Sequence, residues 1–277
     1  MNISGKTKLC IIIGDPVEHS LSPAMHNGAY QALGIDDKFV FVASQVKVEN
    51  VKDVVGAMRV MGFRGLTCTI PHKIEVMKYL DKIDPIAQRI GAVNTVVNDN
   101  GLLTGYNTDW LGTVIPLEKQ GSLKDKNVAL IGAGGAARAC GYGVGARGAR
   151  LTIFNRTIKT AEALAHELDY NVKTAPISSL ADGLDNFDII LNATNIGMGK
   201  YEGVSPIPKS SIHSHQIVFD VVYSPYDTQL LKDANEQGAT VIHGTEMLLY
   251  QGTEQFRLYT GHDAPEQVMR EVLTKSL

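Results

Sequence analysis

The most constraining stretch of the chain is Val128-Ala129-Leu130-Ile131, followed at once by Gly132-Ala133-Gly134-Gly135-Ala136-Ala137-Arg138. A short apolar run ended by glycine reads as a buried strand, and the small residues after it open a helix. A second apolar strand at residues 151–154 then completes one βαβ module. In that setting the small residues have separate tasks. Gly132 permits the tight turn, Gly134 lets backbone approach a pyrophosphate, and Ala137 takes the third fingerprint position, where alanine is accepted. The helix N-terminus offers unpaired N–H groups and a positive dipole end to the anion. A dinucleotide is therefore expected on Gly132, Ala133, Gly134, Gly135 and Ala136.

The end of the second strand selects the cofactor. An NAD site places an acidic residue about 20 residues on, to bond the ribose 2′-hydroxyl. Asn155 stands there, followed by Arg156, Thr157 and Lys159. No carboxylate repels a 2′-phosphate, and arginine grips one through charge-assisted bonds worth about 1.5–3 kcal/mol. The expected cofactor is NADP(H).

Around this module the chain of 277 residues alternates strand and helix patterns, an α/β arrangement. Strands are expected at residues 9–13, 39–44, 65–70, 92–97 and 102–105, the last two forming a hairpin across Asp99-Asn100-Gly101. Ser22 reads as a helix N-cap with Pro23 behind it. A second unit begins near Asp109, with further strands at 187–193, 217–222 and 240–242 and helices at 246–259 and 265–277. Gly141, Gly143 and Gly145 fall inside the helix after the glycine-rich turn, each costing roughly 1 kcal/mol against alanine. That helix must lean on tertiary packing.

The formal net charge of −3 gives no global attraction to nucleic acid or an anionic membrane, so an anionic ligand needs local groups. Few aromatics leave little material for base stacking. The apolar run at residues 9–13 is too short for a signal peptide or a span, and no later run is long enough. Cys10, Cys68 and Cys140 are scattered without metal-ligand spacing, which argues for a reducing, cytoplasmic setting and against a metal site.

Polar clusters follow the strands of the first half. They are Ser20-Leu21-Ser22-Pro23-Ala24-Met25-His26-Asn27, Thr67-Cys68-Thr69-Ile70-Pro71-His72-Lys73, Gly91-Ala92-Val93-Asn94-Thr95 and Gly105-Tyr106-Asn107-Thr108-Asp109. Singly each has a structural explanation, such as a cap or a turn bridge. Together SLSPxxHN, TxTxPHK, GAVNT, GxNTD, GAGGAAR, NRT, DVVYSP and MLLYQG, in order from residue 20 to 252, resemble the shikimate dehydrogenases.

The resemblance implies an α/β substrate-binding and catalytic domain (1–110 with 245–277) and a Rossmann NADP-binding domain (111–244) with a cleft between them. It implies reversible reduction of 3-dehydroshikimate to shikimate, a ring carboxylate with three hydroxyls. By the same resemblance Ser20 and Ser22 match carboxylate-binding serines, and Tyr223 a tyrosine at that end. Thr69, Asn94 and Gln251 match residues bonding the ring hydroxyls, and Lys73 and Asp109 the catalytic pair. Gly244 and Met247 match the late motif beside the nicotinamide. Partners are then small molecules, with a homodimer as a candidate assembly.

Those residue types suit the chemistry. A ketone oxygen receiving hydride becomes an alkoxide, which an ammonium stabilises and protonates while a carboxylate orients it. In the reverse direction the lysine acts as base, so oxidation is expected to rise with pH. His26 and His72 read as structural hydrogen-bonding groups. Three positions depart from the family pattern: Thr67 replaces an asparagine, Thr160 an arginine, and Glu246 interrupts the late glycine motif, where it is expected to face solvent. Rival readings are a dual quinate/shikimate enzyme or a cyclitol paralogue, a silent NADP-binding regulator, and a methylenetetrahydrofolate dehydrogenase. The Lys73/Asp109 pair disfavours the regulator, and the Ser20/Ser22 pair the folate enzyme.

Overall fold

In the computed structural model, which describes residues 3–277, the chain divides into two α/β units. The first runs through Thr108 and takes in Leu249–Ser276; the second is Asp109–Leu248. The first opens with β1 (Lys8–Gly14), α1 (Ser22–Ala32) and β2 (Phe39–Gln45), the two strands pairing in parallel from Lys8↔Phe39 to Gly14↔Gln45. Helix α2 (Val51–Met61) leads to β3 (Gly65–Cys68), which adds in parallel to the other side of β1. After α3 (His72–Glu75), β4 (Lys82–Ile83) and α4 (Pro85–Ile90) comes the hairpin β5 (Thr95–Asp99) and β6 (Leu102–Tyr106). The sheet order is β2-β1-β3-β5-β6-β4, with β5 antiparallel to β3. Ile13, Val55, Met58, Leu66, Val96 and Leu103 sit in its core.

Ser22 corrects one expectation. It is the first residue of α1 rather than its cap; Leu21 holds the cap position, and no side chain caps the helix. Ser22 is 2% exposed, so its hydroxyl is turned into the fold.

The second unit begins with α5 (Asp109–Glu118). It continues through β7 (Asn127–Ile131), α6 (Gly135–Ala146), β8 (Arg150–Asn155), α7 (Ile158–Leu168), β9 (Lys173–Pro176) and β10 (Ile189–Asn192). Then follow β11 (Ile217–Asp220), α8 (Gln229–Glu236) and β12 (Thr240–Ile242). Every strand pairing is parallel, and the order is β9-β8-β7-β10-β11-β12. This is the doubly wound dinucleotide-binding topology, with its switch point between β7 and β10. Helix α9 (Gly244–Thr260) and α10 (Glu266–Lys275) end the chain, and α10 packs on α1 where Gly28 has no side chain to hold it off Val272.

The three glycines inside α6 now have their reason. A Cβ on Gly143 would stand 2.8 Å from Val114 on α5. On Gly141 it would stand 2.9 Å from Leu168 and 3.3 Å from Leu151, and on Gly145 2.5 Å from Tyr170. Close approach of α5, the sheet and α7 recovers what the glycines cost in helix propensity.

Candidate active site

In the second unit Gly132 leaves β7 with φ +108°, and a Cβ there would meet Thr194 at 2.9 Å and the Ala193 carbonyl at 3.1 Å. Only glycine fits that turn. Gly134, in contrast, is exposed, with no atom within 4 Å of where a Cβ would stand, and it precedes the first turn of α6. The Arg138 N–H is the first to close onto that turn, donating to the Gly134 carbonyl at 3.0 Å. The backbone N–H groups ahead of it have no intrahelical acceptor. An open glycine face, a strictly glycine turn and donating N–H groups together fit a dinucleotide pyrophosphate.

Beyond β8, Asn155 Nδ2 donates to the Thr157 carbonyl at 3.0 Å and fastens the turn into α7. Arg156, Thr157, Lys159 and Thr160 are exposed on that turn. Among the described residues neither Arg156 nor Lys159 is in an ion pair, so both charges can meet a phosphate. Arg138 is committed elsewhere, to Glu167 on α7.

The carboxyl ends of β10 and β11 are tied by a buried network that motif reading missed. Asp220 accepts from Asn192 Nδ2 (2.9 Å), Thr228 Oγ1 (2.7 Å) and the Val222 N–H (3.0 Å). Burial pushes its carboxyl up to about 6 against those three donors. Asn192 Oδ1 in turn accepts from the Thr194 N–H and hydroxyl, which sets the residue packed on Gly132. Tyr223 lies half-buried just past β11, its phenol raised by burial. Gly244 is pressed against the Val221 and Val222 carbonyls, where no side chain would fit. Met247, three residues on, is 7% exposed and packs on Gly112 of α5. Glu246 lines a cavity of about 230 Å³ with Lys119, Pro116, Gln120 and His243. Glu246 is partly exposed there, with Lys119 lining the same cavity. Asp109, at the N-terminus of α5, is 4% exposed, and the helix dipole favours a carboxylate there.

In the first unit, β1 and β3 deliver their carboxyl ends to the polar clusters. Thr69 presses its methyl on Gly14, which a side chain at Gly14 would block. Its backbone is held from Ile13 (2.9 Å) and by the His72 N–H (2.8 Å). His72 Nε2 meets the Val46 carbonyl at 2.7 Å, the structural role expected of it. His26 is stacked at 4.4 Å on Phe41 and fully buried. The half-buried Lys73 follows His72, with its carbonyl accepting from the Val93 N–H at 2.8 Å. Burial pushes the Cys68 thiol up to about 12, opposed by the Lys73 ammonium. Ser20 Oγ accepts from the Ser22 N–H at 3.3 Å, which places the two serines side by side.

Asn94 is 1% exposed and bonded on both edges of its carboxamide. Its Oδ1 accepts from the Thr108 N–H (2.8 Å) and Thr95 Oγ1 (2.8 Å). Its Nδ2 donates to Thr108 Oγ1 (2.9 Å) and approaches Gln251 Oε1 at 3.5 Å. Thr67 shares a 2.9 Å hydrogen bond with the buried Tyr259 hydroxyl, so the family's asparagine position is here an internal link. Sequence reading assigned no role to Thr95, Thr108 or Gln255; the four-residue step from Gln251 to Gln255, one helical turn, was the available signal. A separate cavity of about 620 Å³, lined by Lys8, Arg59, Arg64 and Asn98, opens at the other end of the same sheet. Its arginines are occupied by Asp81, Asp99 and the α9 carbonyls of Leu258 and Tyr259.

Among the described residues no group of three or more His, Cys, Asp or Glu is placed to hold a metal, and no helix is long and apolar enough to cross a membrane.

Residues 12–96 match the family model described as shikimate dehydrogenase substrate binding domain, and 116–220 that of shikimate / quinate 5-dehydrogenase. Residues 244–274 match the shikimate 5'-dehydrogenase C-terminal domain. The shikimate dehydrogenase (NADP(+)) of Methanocaldococcus jannaschii is 44% identical over 278 residues, covering 98% of each chain. A shikimate dehydrogenase solved in complex with NADP+ superposes with a TM-score of 0.93 at 42% identity, covering 99% of this chain and 96% of the other. The Listeria monocytogenes shikimate 5-dehydrogenase, solved with shikimate and NAD, gives 0.89 at 37%, covering 99% and 98%.

Proposed function

The chain belongs to the shikimate dehydrogenase family, and we propose that Lys73 and Asp109 carry its chemistry while Ser20, Ser22, Thr69, Asn94, Tyr223 and Gln251 bind its substrate. It is an NADP-dependent oxidoreductase that reversibly reduces 3-dehydroshikimate to shikimate, in the shikimate pathway of aromatic amino-acid biosynthesis. The first unit is proposed as the substrate domain and the second as the cofactor domain.

NADPH, when bound, supplies the hydride. Gly132, Ala133, Gly134, Gly135 and Ala136 hold its pyrophosphate, and Asn155, Arg156, Thr157 and Lys159 its 2′-phosphate. Gly244 and Met247 border the nicotinamide. Lys73 stabilises the oxygen that gains charge and gives it a proton, and Asp109 is the carboxylate that orients the ammonium. Ser20 and Ser22 take the substrate carboxylate with Tyr223, while Thr69, Asn94 and Gln251 read the ring hydroxyls. The observation that carries the substrate reading is the 3.5 Å approach of Asn94 Nδ2 to Gln251 Oε1: two residues expected to read the ring hydroxyls, far apart in sequence, meet in the first unit, and Thr95 and Thr108 set the orientation of the Asn94 carboxamide.

A cytoplasmic location, supported by the buried thiols Cys10, Cys68 and Cys140, and a homodimer belong to the same proposal. Cell fractionation and light scattering test them. The activity reading is tested by following nicotinamide reduction with shikimate or quinate crossed against NADP or NAD. Turnover with shikimate and NADP, and much less in the other three combinations, is expected. Equal turnover of quinate would overturn the substrate assignment, and equal turnover with NAD the role of Arg156.

A further inference from the structure

Gln255 lies one helical turn beyond Gln251 on α9 and is fully buried. Its Nε2 donates to Thr95 Oγ1 at 2.9 Å, and Thr95 Oγ1 donates to Asn94 Oδ1 at 2.8 Å. A hydroxyl has one proton to give. Thr95 accepts from Gln255 and gives its proton to Asn94 Oδ1, the nearer acceptor, with the Thr108 hydroxyl farther off at 3.5 Å. The second donor to Asn94 Oδ1, the Thr108 backbone N–H, cannot change its role. Turning the Asn94 amide over would set its NH2 against that N–H and break the Thr95 bond. The amide orientation of Asn94 is therefore held at Oδ1 by a backbone N–H and by the Thr95 hydroxyl, and at Nδ2 by the Thr108 hydroxyl at 2.9 Å; of the two donors to Oδ1, only Thr95 can be altered through a side chain.

Gln255 has a second buried neighbour on its other edge. Its Oε1 lies 3.5 Å from Thr67 Oγ1, which shares its other hydrogen bond with Tyr259. A chain of polar groups thus runs from Tyr259 and Thr67 through Gln255 and Thr95 to Asn94. All are buried, where a misdirected group costs about 1–3 kcal/mol.

We propose that Gln255 is a positioning residue for substrate recognition: through Thr95 it fixes which edge of Asn94 faces Gln251 and the substrate's ring hydroxyls. The inference rests on the reading of Asn94 and Gln251 as substrate-binding. Gln255 itself touches neither substrate nor cofactor in this scheme; its effect reaches the ring only through Thr95 and Asn94.

The test is steady-state shikimate oxidation by the full chain at saturating NADP. The variants are Gln255→Leu, Thr95→Val, Thr95→Ser, the Gln255→Leu/Thr95→Val double and Asn94→Ala, with NADP affinity and urea midpoints measured alongside. Gln255→Leu and Thr95→Val are each expected to raise shikimate KM about tenfold, the scale of one buried hydrogen bond. Their kcat and NADP affinity should stay near wild type, and the double variant should be no worse than either single one. Thr95→Ser keeps the hydroxyl and should restore the wild-type KM. A wild-type KM in Gln255→Leu, or multiplying effects in the double variant, overturns the inference. If Gln255→Leu does not fold, the Thr95→Val and Thr95→Ser pair decides: equal KM values in the two reject the relay. A raised KM in Asn94→Ala with none in Gln255→Leu rejects the relay alone, whereas a wild-type KM in Asn94→Ala rejects the substrate-site reading beneath it.

Discussion

A Cβ on Gly112 would stand 2.5 Å from the carbonyl oxygen of Met247 and 3.0 Å from its Cγ. Helix α5 therefore meets the first turn of α9 backbone to backbone, and the position of Met247 depends on the missing side chain.

Gly112→Ala is expected to cost roughly 1–3 kcal/mol of stability, because a carbonyl cannot move aside as a flexible side chain would. It should also raise KM for NADPH more than KM for shikimate. Gly134→Ala is the contrast. Its added methyl meets nothing within 4 Å, so stability should stay near wild type while NADPH binding weakens. Urea unfolding with kinetics on both variants separates the two effects, and a stable Gly112→Ala would refute the packing argument.

Lys73→Ala should lower kcat by roughly 10²–10⁴, the range of a positioned acid–base group, with shikimate KM changing far less. Asp109→Asn should do milder damage of the same kind. Pre-steady-state turnover reads both. Near-normal kcat in Lys73→Ala would remove it from the chemistry.

Arg156→Ala should cut the preference for NADP over NAD by roughly ten- to a hundredfold, equivalent to one charge-assisted hydrogen bond of about 1.5–3 kcal/mol. The loss should appear in KM for NADP and leave NAD kinetics unchanged. Raising ionic strength should narrow the difference between wild type and variant.

Acid should unfold the first unit through His26. Burial pushes its imidazole down to about 3 from the ordinary 6.5, opposed by its neighbour Gln255. Between those values the unfolded chain holds a proton that the folded chain refuses, so stability rises with pH there. The contribution is complete above about pH 6.5 and is lost as pH falls toward about 3. His26→Leu cancels it. Between pH 6.5 and 5 the wild type should lose about 2 kcal/mol relative to the variant. Parallel urea titrations at the two values check the sign, and equal losses would show that His26 is not the sensitive group.

Much of the backbone was legible because its causes are local. The run Val128-Ala129-Leu130-Ile131 ends at a glycine that must take φ +108°, and the chain order of strand, turn and helix follows from that one constraint. Residues 240–242 were expected as a strand and form β12. Asp99-Asn100-Gly101 predicted the β5–β6 hairpin, and Asn100 and Gly101 both adopt positive φ. The short pieces β4 and β9 and helices α4, α7 and α8 went unmarked, since two to four residues carry little periodicity and the helices lie among stronger signals.

Side-chain orientation was another matter. Ser22 carried every local mark of a cap and is instead buried within α1, because helix placement against the sheet and not capping propensity decides where its hydroxyl goes. The glycines of α6 are a local cost in helix propensity whose reason, the close packing of Val114, Leu168 and Tyr170, lies outside the helix. Thr67 read as a broken motif and is a link to Tyr259, 192 residues away. By itself the sequence determined the order of elements, the glycine turn and the types of residue available for chemistry, all set by backbone sterics and short-range spacing. Only the tertiary structure decided which edge of Asn94 faces Gln251, because that depends on Thr95, Thr108 and Gln255. Those groups come together only when the hairpin and α9 pack, and burial then makes each hydrogen bond exclusive.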